Sequence, residues 1–449
     1  MSEQKLLEQA DQLARAYIDG IETRRVFPAP KDVAELVRFQ EDLPTRGLPA
    51  DETIAMMDRL GSAATVANNG PNYFGFVIGA SLPVADAAER SAWAWDQCAS
   101  TFDSSPAVDA IEKQAAVWVK DILDLPRSSA VAFGTSATAC GLSCLAAARA
   151  HLLAQKGWDV SEQGLMGAPE VRVVVPASTH VTVRKALQIL GFGWTRVIKA
   201  PVDDCGRIVP DQLPVLDDLT ILVLQAGEVN TGEFDPFEAV IPAAKAAGAW
   251  VHVDGAFGLW ARASAKMRSL TDGIEGADSW TTDGHKWLNT PYDGAMAICR
   301  DPHALARVMN SDAAYSAASA DAQKNLTLEF SRRARGIPIW AALRSLGRDG
   351  VAALVEQHHA QAGAIASALK AAGFEVLNNV VLNQVLVRAA DDEATVRVMK
   401  SVQDSGKAWF GGSVWQGRPA FRISLSSFRT QDRHVAALID QLVSIGPKG

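Results

Sequence analysis

The sequence predicts an α/β protein: a mostly parallel sheet with helices on both faces in a large domain, then a small C-terminal α+β domain. Two patterns predict it. Between about residues 71 and 310, short apolar runs alternate with helical segments. The runs are VRVVVPA (171–177), TILVLQAG (220–227), AWVHVDG (249–255) and GAMAICR (294–300), and VTVRKALQILG (181–191) and PFEAVIPAAKAAG (236–248) lie among them. Strands that are apolar throughout, rather than alternating, are buried on both faces, as in a parallel sheet covered by helices. Beyond about 335 the pattern changes to a long helix (351–372, stopped by Gly373), short strands at FEVLN and QVLVRA, a helix at 394–405, a strand at FRISLSS and a last amphipathic helix.

Residues 1 to about 70 read as helices joined by the Pro-rich VFPAPKD, with no strand pattern. The expected domains are therefore 1–70 (helical), 71–335 (the large α/β domain) and 336–449 (the small domain). At 449 residues the chain is long enough for a large core, and 48% apolar with 21% charged residues is the balance of a globular enzyme. A formal charge of −8 speaks against a nucleic-acid partner. No apolar run reads as a membrane span, and the polar N-terminal helix lacks signal-peptide features, so a cytoplasmic protein is expected. The five cysteines are scattered. Cys140 and Cys144, four apart on a helix, read as small buried thiols rather than metal ligands, and no metal site is expected.

The chemistry concentrates in WTTDGHKWLNTPYDG (280–294), which carries Lys286, and in HVDGAFGLWA, which carries Asp254 thirty-two positions earlier. A lysine after one strand and a carboxylate at the end of another form the pair that pyridoxal phosphate needs. The amine holds the cofactor aldehyde as a Schiff base, and the carboxylate keeps the pyridine nitrogen protonated. In open parallel sheets, ligands bind beyond the carboxyl ends of the strands, where Asp254 falls. The small-residue run AFGTSATACGLSCLAAAR (132–149) passes from loop to helix. Ala137 and Thr138 at that turn offer N–H groups and a hydroxyl to a phosphate, although an ordinary helix N-cap would look the same. His180, after VRVVVPA, can stack on a flat ring; the alternative is a capping or core histidine. Ala256 is small enough to let a ring approach from the other face.

These pieces, in this order, resemble the fold-type-I pyridoxal-phosphate enzymes, and more closely the group II amino-acid decarboxylases, which include the aromatic L-amino-acid, glutamate and histidine decarboxylases. The resemblance runs from about Asn72 to Ser427 and is strongest at SSPAVDAIEK (104–113), HVDGAFG (252–258) and DGHKW (283–287). It implies a seven-stranded sheet. It implies Lys286 as the Schiff-base lysine, Asp254 at the pyridinium nitrogen, His180 stacked on the ring with Ala256 beneath, and Ala137, Thr138 and His285 at the phosphate. It also implies a tyrosine that returns a proton after CO2 loss, and Tyr315, twenty-nine residues after Lys286, has the matching offset; an ordinary loop tyrosine is the alternative.

Three features depart from the family pattern. The stretch between Tyr315 and SRRARGIPIW (331–340) is short. Gly227-Glu228-Val229-Asn230-Thr231-Gly232 replaces the family's Gly-Thr-Thr, which makes Asn230 the candidate partner of the ring hydroxyl. Gly255 stands where alanine is usual and is expected to loosen the backbone beside the cofactor. The expected activity is PLP-dependent decarboxylation of an L-amino acid in a homodimer. An aminotransferase or aldolase-type carbon–carbon lyase is one alternative, and a catalytically silent PLP-binding protein another. Arg422 does not decide among them. Arg332, Arg333 and Arg335 read as structural, and Tyr73, Phe74, Phe76 and Phe102 as candidate pocket residues.

Overall fold

The structure, a computed structural model, describes residues 1–310 and 322–449. It divides into two compact units. The larger comprises Ser81–Gly363 with Asn378–Gln384, and the smaller Met1–Ala80, Ala364–Leu377 and Val385–Gly449. These cuts fall at 80 and 363, where the pattern suggested 70 and 335. The N-terminal helices cluster with the C-terminal strands, a grouping that no local pattern announces.

Seven strands build the sheet of the larger unit: β1 (Ala130–Gly134), β2 (Arg172–Pro176), β3 (Ile198–Ala200), β4 (Thr220–Gln225), β5 (Trp250–Asp254), β6 (Ser279–Asp283) and β7 (Ala295–Cys299). Their order is β1-β7-β6-β5-β4-β2-β3. Strands β3, β2, β4, β5 and β6 run parallel, whereas β7 is antiparallel to both β6 and β1. Every residue of β4, β6 and β7 is buried, which explains the apolar runs of β4 and β7. The edge strand β1 is closed by a side chain: the Gln323 amide accepts from Phe133 N (3.2 Å) and donates to Val131 O (3.0 Å).

Helix α1 (Ala137–Gln155) crosses behind the sheet, with eleven of its residues, among them Cys140, Cys144 and Leu145, buried. It is long and apolar enough to span a membrane by composition, against the expectation that no segment is, yet 67% of that window is buried in the protein. It is a core helix packed on the strands and on the helices Val181–Ile189 and Pro302–Met309. At its entry a Cβ on Gly134 would lie 2.8 Å from Cys140 Sγ, so the strand-to-helix turn needs glycine for close approach. Helix α2 (Val181–Ile189) follows β2, and α3 (Phe237–Ala246) follows β4. The expected long helix is α4 (Gly336–Ala371), broken at Gly347, where φ is 62°.

In the smaller unit a four-stranded sheet is formed by Glu375–Val376, Gln384–Arg388, Gly411–Trp415 and Arg418–Ser424, the last of which carries Arg422. Tyr73 stacks on Trp409 at 5.1 Å and Phe74 is buried in the core, so neither is an open pocket wall; Phe76 and Phe102 are exposed.

The three arginines after residue 330 are structural. Arg332 makes a fully buried bidentate pair with Glu112, at 3.0 and 2.5 Å, and Gly336 N donates to the same carboxylate at 3.0 Å. Arg333 reaches Glu89 and Asp293, and Arg335 binds Asp293 Oδ1 at 3.0 Å. The SSPAVDAIEK motif thus contributes Glu112 as an anchor for SRRARGIPIW.

Candidate active site

Parallel strands bring their carboxyl ends to one edge, and the register aligns Gln225, Asp254 and Thr281 across β4, β5 and β6. Asp283 lies two residues past Thr281 and so faces the same side of the sheet. Three residues further, in the turn between β6 and β7, comes Lys286. That turn is pinned throughout. Trp287 Nε1 donates to His358 Nδ1 at 2.8 Å, with both residues buried. Asn289, at φ 55°, donates from its side chain to Trp287 O at 2.7 Å, which holds the left-handed conformation. The backbone of Gly284 returns to Gly294 O at 2.9 Å. Lys286 therefore stands on a base that the turn holds, with its Nζ 3.3 Å from Asp283 Oδ2.

Asp254 closes β5. Its hydrogen bond comes from Ala256 N at 3.2 Å, and no ion pair forms on it among the described residues. Desolvation pushes its carboxyl above the usual range, while the nearby His180 and Lys286 pull the other way. A desolvated carboxylate without a bonded cation is costly unless a ligand supplies one. A protonated pyridine nitrogen is such a ligand, and on this observation the site fits pyridoxal phosphate.

His180 is the N-cap of α2, its Nδ1 lying 2.8 Å from Thr182 Oγ1 and accepting from Thr182 N at 3.4 Å. Capping and a role beside Asp254 are thus compatible, because the cap fixes the ring at the strand edge. Ala256 O accepts from Asp283 N at 2.9 Å, which ties the β5 and β6 ends together. His285 Nδ1 accepts from Gly294 N at 3.3 Å, so the ring proton sits on Nε2, 3.7 Å from Asp283 Oδ1; burial lowers its proton affinity and keeps it neutral. Ala137 and Thr138 open α1, with Ser136 as the N-cap.

Asn230 sits in a loop organised by the buried Glu228, which accepts from Asn230 N (2.7 Å), Asn230 Nδ2 (3.1 Å) and Thr231 N (2.8 Å). Tyr315 lies outside the described residues. Gly255 does not loosen the backbone: a Cβ there would meet Leu259 Cβ at 2.7 Å and Thr281 O at 3.1 Å, and its N–H bonds Thr281 O at 3.0 Å. Glycine is the residue that fits.

Two site residues were not singled out by the sequence. Asp283 accepts from Ala137 N at 2.7 Å and pairs with Lys286 Nζ at 3.3 Å. Tyr292 stacks on His285 with ring centroids 4.2 Å apart, and partial burial, then the Asp283 charge, pushes its phenol up to about 12. Both lie within the DGHKWLNTPYDG run, but nothing in the residue types alone shows which way they turn. Among the described residues no cluster of His, Cys, Asp or Glu is placed to hold a metal ion.

Comparison with known proteins agrees with this geometry. Tryptophan decarboxylase 1 of Oryza sativa subsp. japonica is 26% identical, aligning over 93% of this chain and 88% of its own length. L-2,4-diaminobutyrate decarboxylase of Rhizobium meliloti is 29% identical over 79% of this chain and 74% of its own. A crystal structure of Oryza sativa TDC with PLP and tryptamine superposes with a TM-score of 0.89 and 24% identity, covering 98% of this chain and 97% of that one, which shows the fold-type-I architecture. Residues 51–390 match the pyridoxal-dependent decarboxylase conserved domain, and the chain belongs to that family.

Proposed function

We propose that the protein releases CO2 from an L-amino acid to leave the amine, using pyridoxal phosphate held at Lys286. The observation that carries this reading is Asp254, a desolvated carboxylate on which no ion pair forms among the described residues, with Lys286 near it. When bound, the cofactor supplies an electron sink for the bonds at the substrate's α-carbon. The chain does the rest. Lys286 would supply the amine that holds the cofactor aldehyde. Asp254 holds a proton on the ring nitrogen. His180, held by its cap, would cover one face of the ring, and Ala256 would leave room on the other. The phosphate would be held at the start of α1 by Thr138 and the His285 Nε2 proton, and by the Ala137 N–H once it leaves Asp283 Oδ1. Asn230, one of whose amide N–H groups is turned to Glu228, would offer its amide group to the ring hydroxyl. Tyr315 is assigned the return of a proton to the α-carbon.

A homodimer in a reducing cytoplasm completes the proposal. Support comes from the exposed apolar side chains Val37, Phe39 and Leu43 of the N-terminal segment and from five unpaired cysteines. Incubation with amino-acid pools tests the reaction. CO2 and amine support it; a keto acid, or an aldehyde with glycine, moves the assignment to the aminotransferase or aldolase class. Protein that stays colourless and traps no cofactor under borohydride refutes the cofactor site. Tyr315→Phe is expected to lose most amine formation while still trapping cofactor at Lys286; unchanged turnover rejects its role.

A further inference from the structure

The amino ends of the parallel strands hold a cavity that the chemistry above does not use. About 270 Å³ of space lies between the end of α1, the start of β2, the end of α2 and the approach to β3. Its apolar wall includes the buried side chains Leu153, Val173 and Val197. Arg149 of α1 stands in the same wall, partly buried. Its Nη1 donates to Leu190 O at 2.6 Å, the C-cap carbonyl of α2, and its guanidinium lies 5.7 Å from the Phe192 ring centroid. Nε is enclosed without a hydrogen-bond partner. Nη2 makes no hydrogen bond, and no carboxylate pairs with Arg149, among the described residues. The other two arginines of the wall are paired: Arg172 with Asp217 at 2.7 Å, and Arg196 with the exposed Glu170.

Capping α2 uses one of the five guanidinium N–H groups and leaves the charge without a counter-ion. A cation drawn out of water without a partner is costly. Burial accordingly lowers the proton affinity of Arg149, and no neighbouring carboxylate among the described residues offsets it. An anionic ligand supplies what is missing, with Nη2 as the donor left to meet it. The apolar wall suits a carbon body, and the Glu170 charge at the wall disfavours an anion of higher charge. We propose that this cavity is a second ligand site, for a small monocarboxylate whose charge lies against Arg149 and whose apolar body lies against Leu153, Val173 and Val197. It is separate from the Lys286 site. Strand β2 is five residues long, about 17 Å, and begins in this cavity's wall, while its far end leads to His180.

Benzoate is the probe and benzamide its neutral counterpart, each titrated calorimetrically into full-length, cofactor-loaded protein. Wild type is expected to bind benzoate at least about tenfold more tightly than benzamide. Arg149→Met removes the charge and keeps an apolar stem; it is expected to weaken benzoate at least about tenfold and to bring the two probes to similar affinity. Ala168→Phe acts independently. Ala168 follows a turn in the cavity wall, away from the core, and a ring there is expected to exclude both probes with Arg149 intact. If Arg149→Met fails to fold, Ala168→Phe decides alone. Wild type that binds no benzoate overturns the site. Benzoate binding that neither substitution changes places the ligand elsewhere, the Lys286 site included, and also overturns it. Inorganic phosphate that binds more tightly than benzoate, and loses that binding in Arg149→Met, overturns the monocarboxylate assignment.

Discussion

Replacing Asp254 with asparagine should weaken the bound state and strengthen the empty one. In the empty protein the carboxylate is desolvated, with one backbone donor and no bonded cation, and its proton affinity is raised above the ordinary value of 3.8. The sign follows from proton counts. A carboxyl whose folded pKa exceeds its unfolded one binds more protons when folded, so stability drops as pH rises from about 4 through the folded pKa, and the loss is complete above it. The Asp254→Asn variant has no such loss. Stripped of cofactor, it should therefore have an unfolding midpoint equal to or above wild type at about pH 8, with the advantage vanishing below about pH 4. Cofactor binding moves the opposite way. Removing one partner of a desolvated charge pair costs about 3 kcal/mol, which is a loss of about 150-fold in affinity. Thermal unfolding of stripped protein and a cofactor titration by absorbance read the two effects separately. A variant that binds cofactor as tightly as wild type would refute the assignment of Asp254 to the ring nitrogen. A cofactor-free variant less stable at high pH would refute the desolvation argument.

Two further substitutions test the scaffold. Arg332→Met strands the Glu112 carboxylate, with both side chains essentially inaccessible in wild type, and should cost about 3–5 kcal/mol in urea unfolding. Pairing it with Glu112→Leu should recover much of that, and a loss below about 1 kcal/mol for the single variant would show the pair is not the anchor described. Gly255→Ala, the residue usual in the family, should destabilise by about 1–3 kcal/mol because its Cβ meets Leu259; a neutral result would show that β5 shifts freely at its end.

Much of the sheet was legible because burial on both faces leaves a plain trace: VRVVVPA, TILVLQAG, AWVHVDG and GAMAICR each contain an observed strand. The antiparallel sense of β7 was not legible, because direction depends on the connection and the turn through Lys286 does not disclose that it doubles back. Nor was the grouping of residues 1–80 with the C-terminal strands, since contacts between chain segments hundreds of residues apart leave no periodicity. Helix α1 misleads in isolation, as a helix buried on all sides carries the same composition as one in lipid. At the site, Lys286, Asp254 and His180 fall at the strand edge because strand ends can be counted from sequence. The roles of Asp283, Asn230 and Gly255 depend on which neighbour each side chain meets. Glu228 captures the Asn230 amide, and Leu259 crowds Gly255, through loops whose course the residues do not spell out.

The amide of Gln323 that closes β1 also sets a boundary for variation. Upstream, the helix Pro302–Met309 follows β7 and begins at a cap made by Asp301; downstream, Gln323 is clamped to the sheet and Lys324 N bonds Ser100 O at 3.1 Å. The stretch carrying Tyr315 therefore starts and stops at fixed posts that do not depend on its content. The Asp301 cap and the Gln323 clamp thus hold the sheet edge through contacts of their own, made outside the stretch between them.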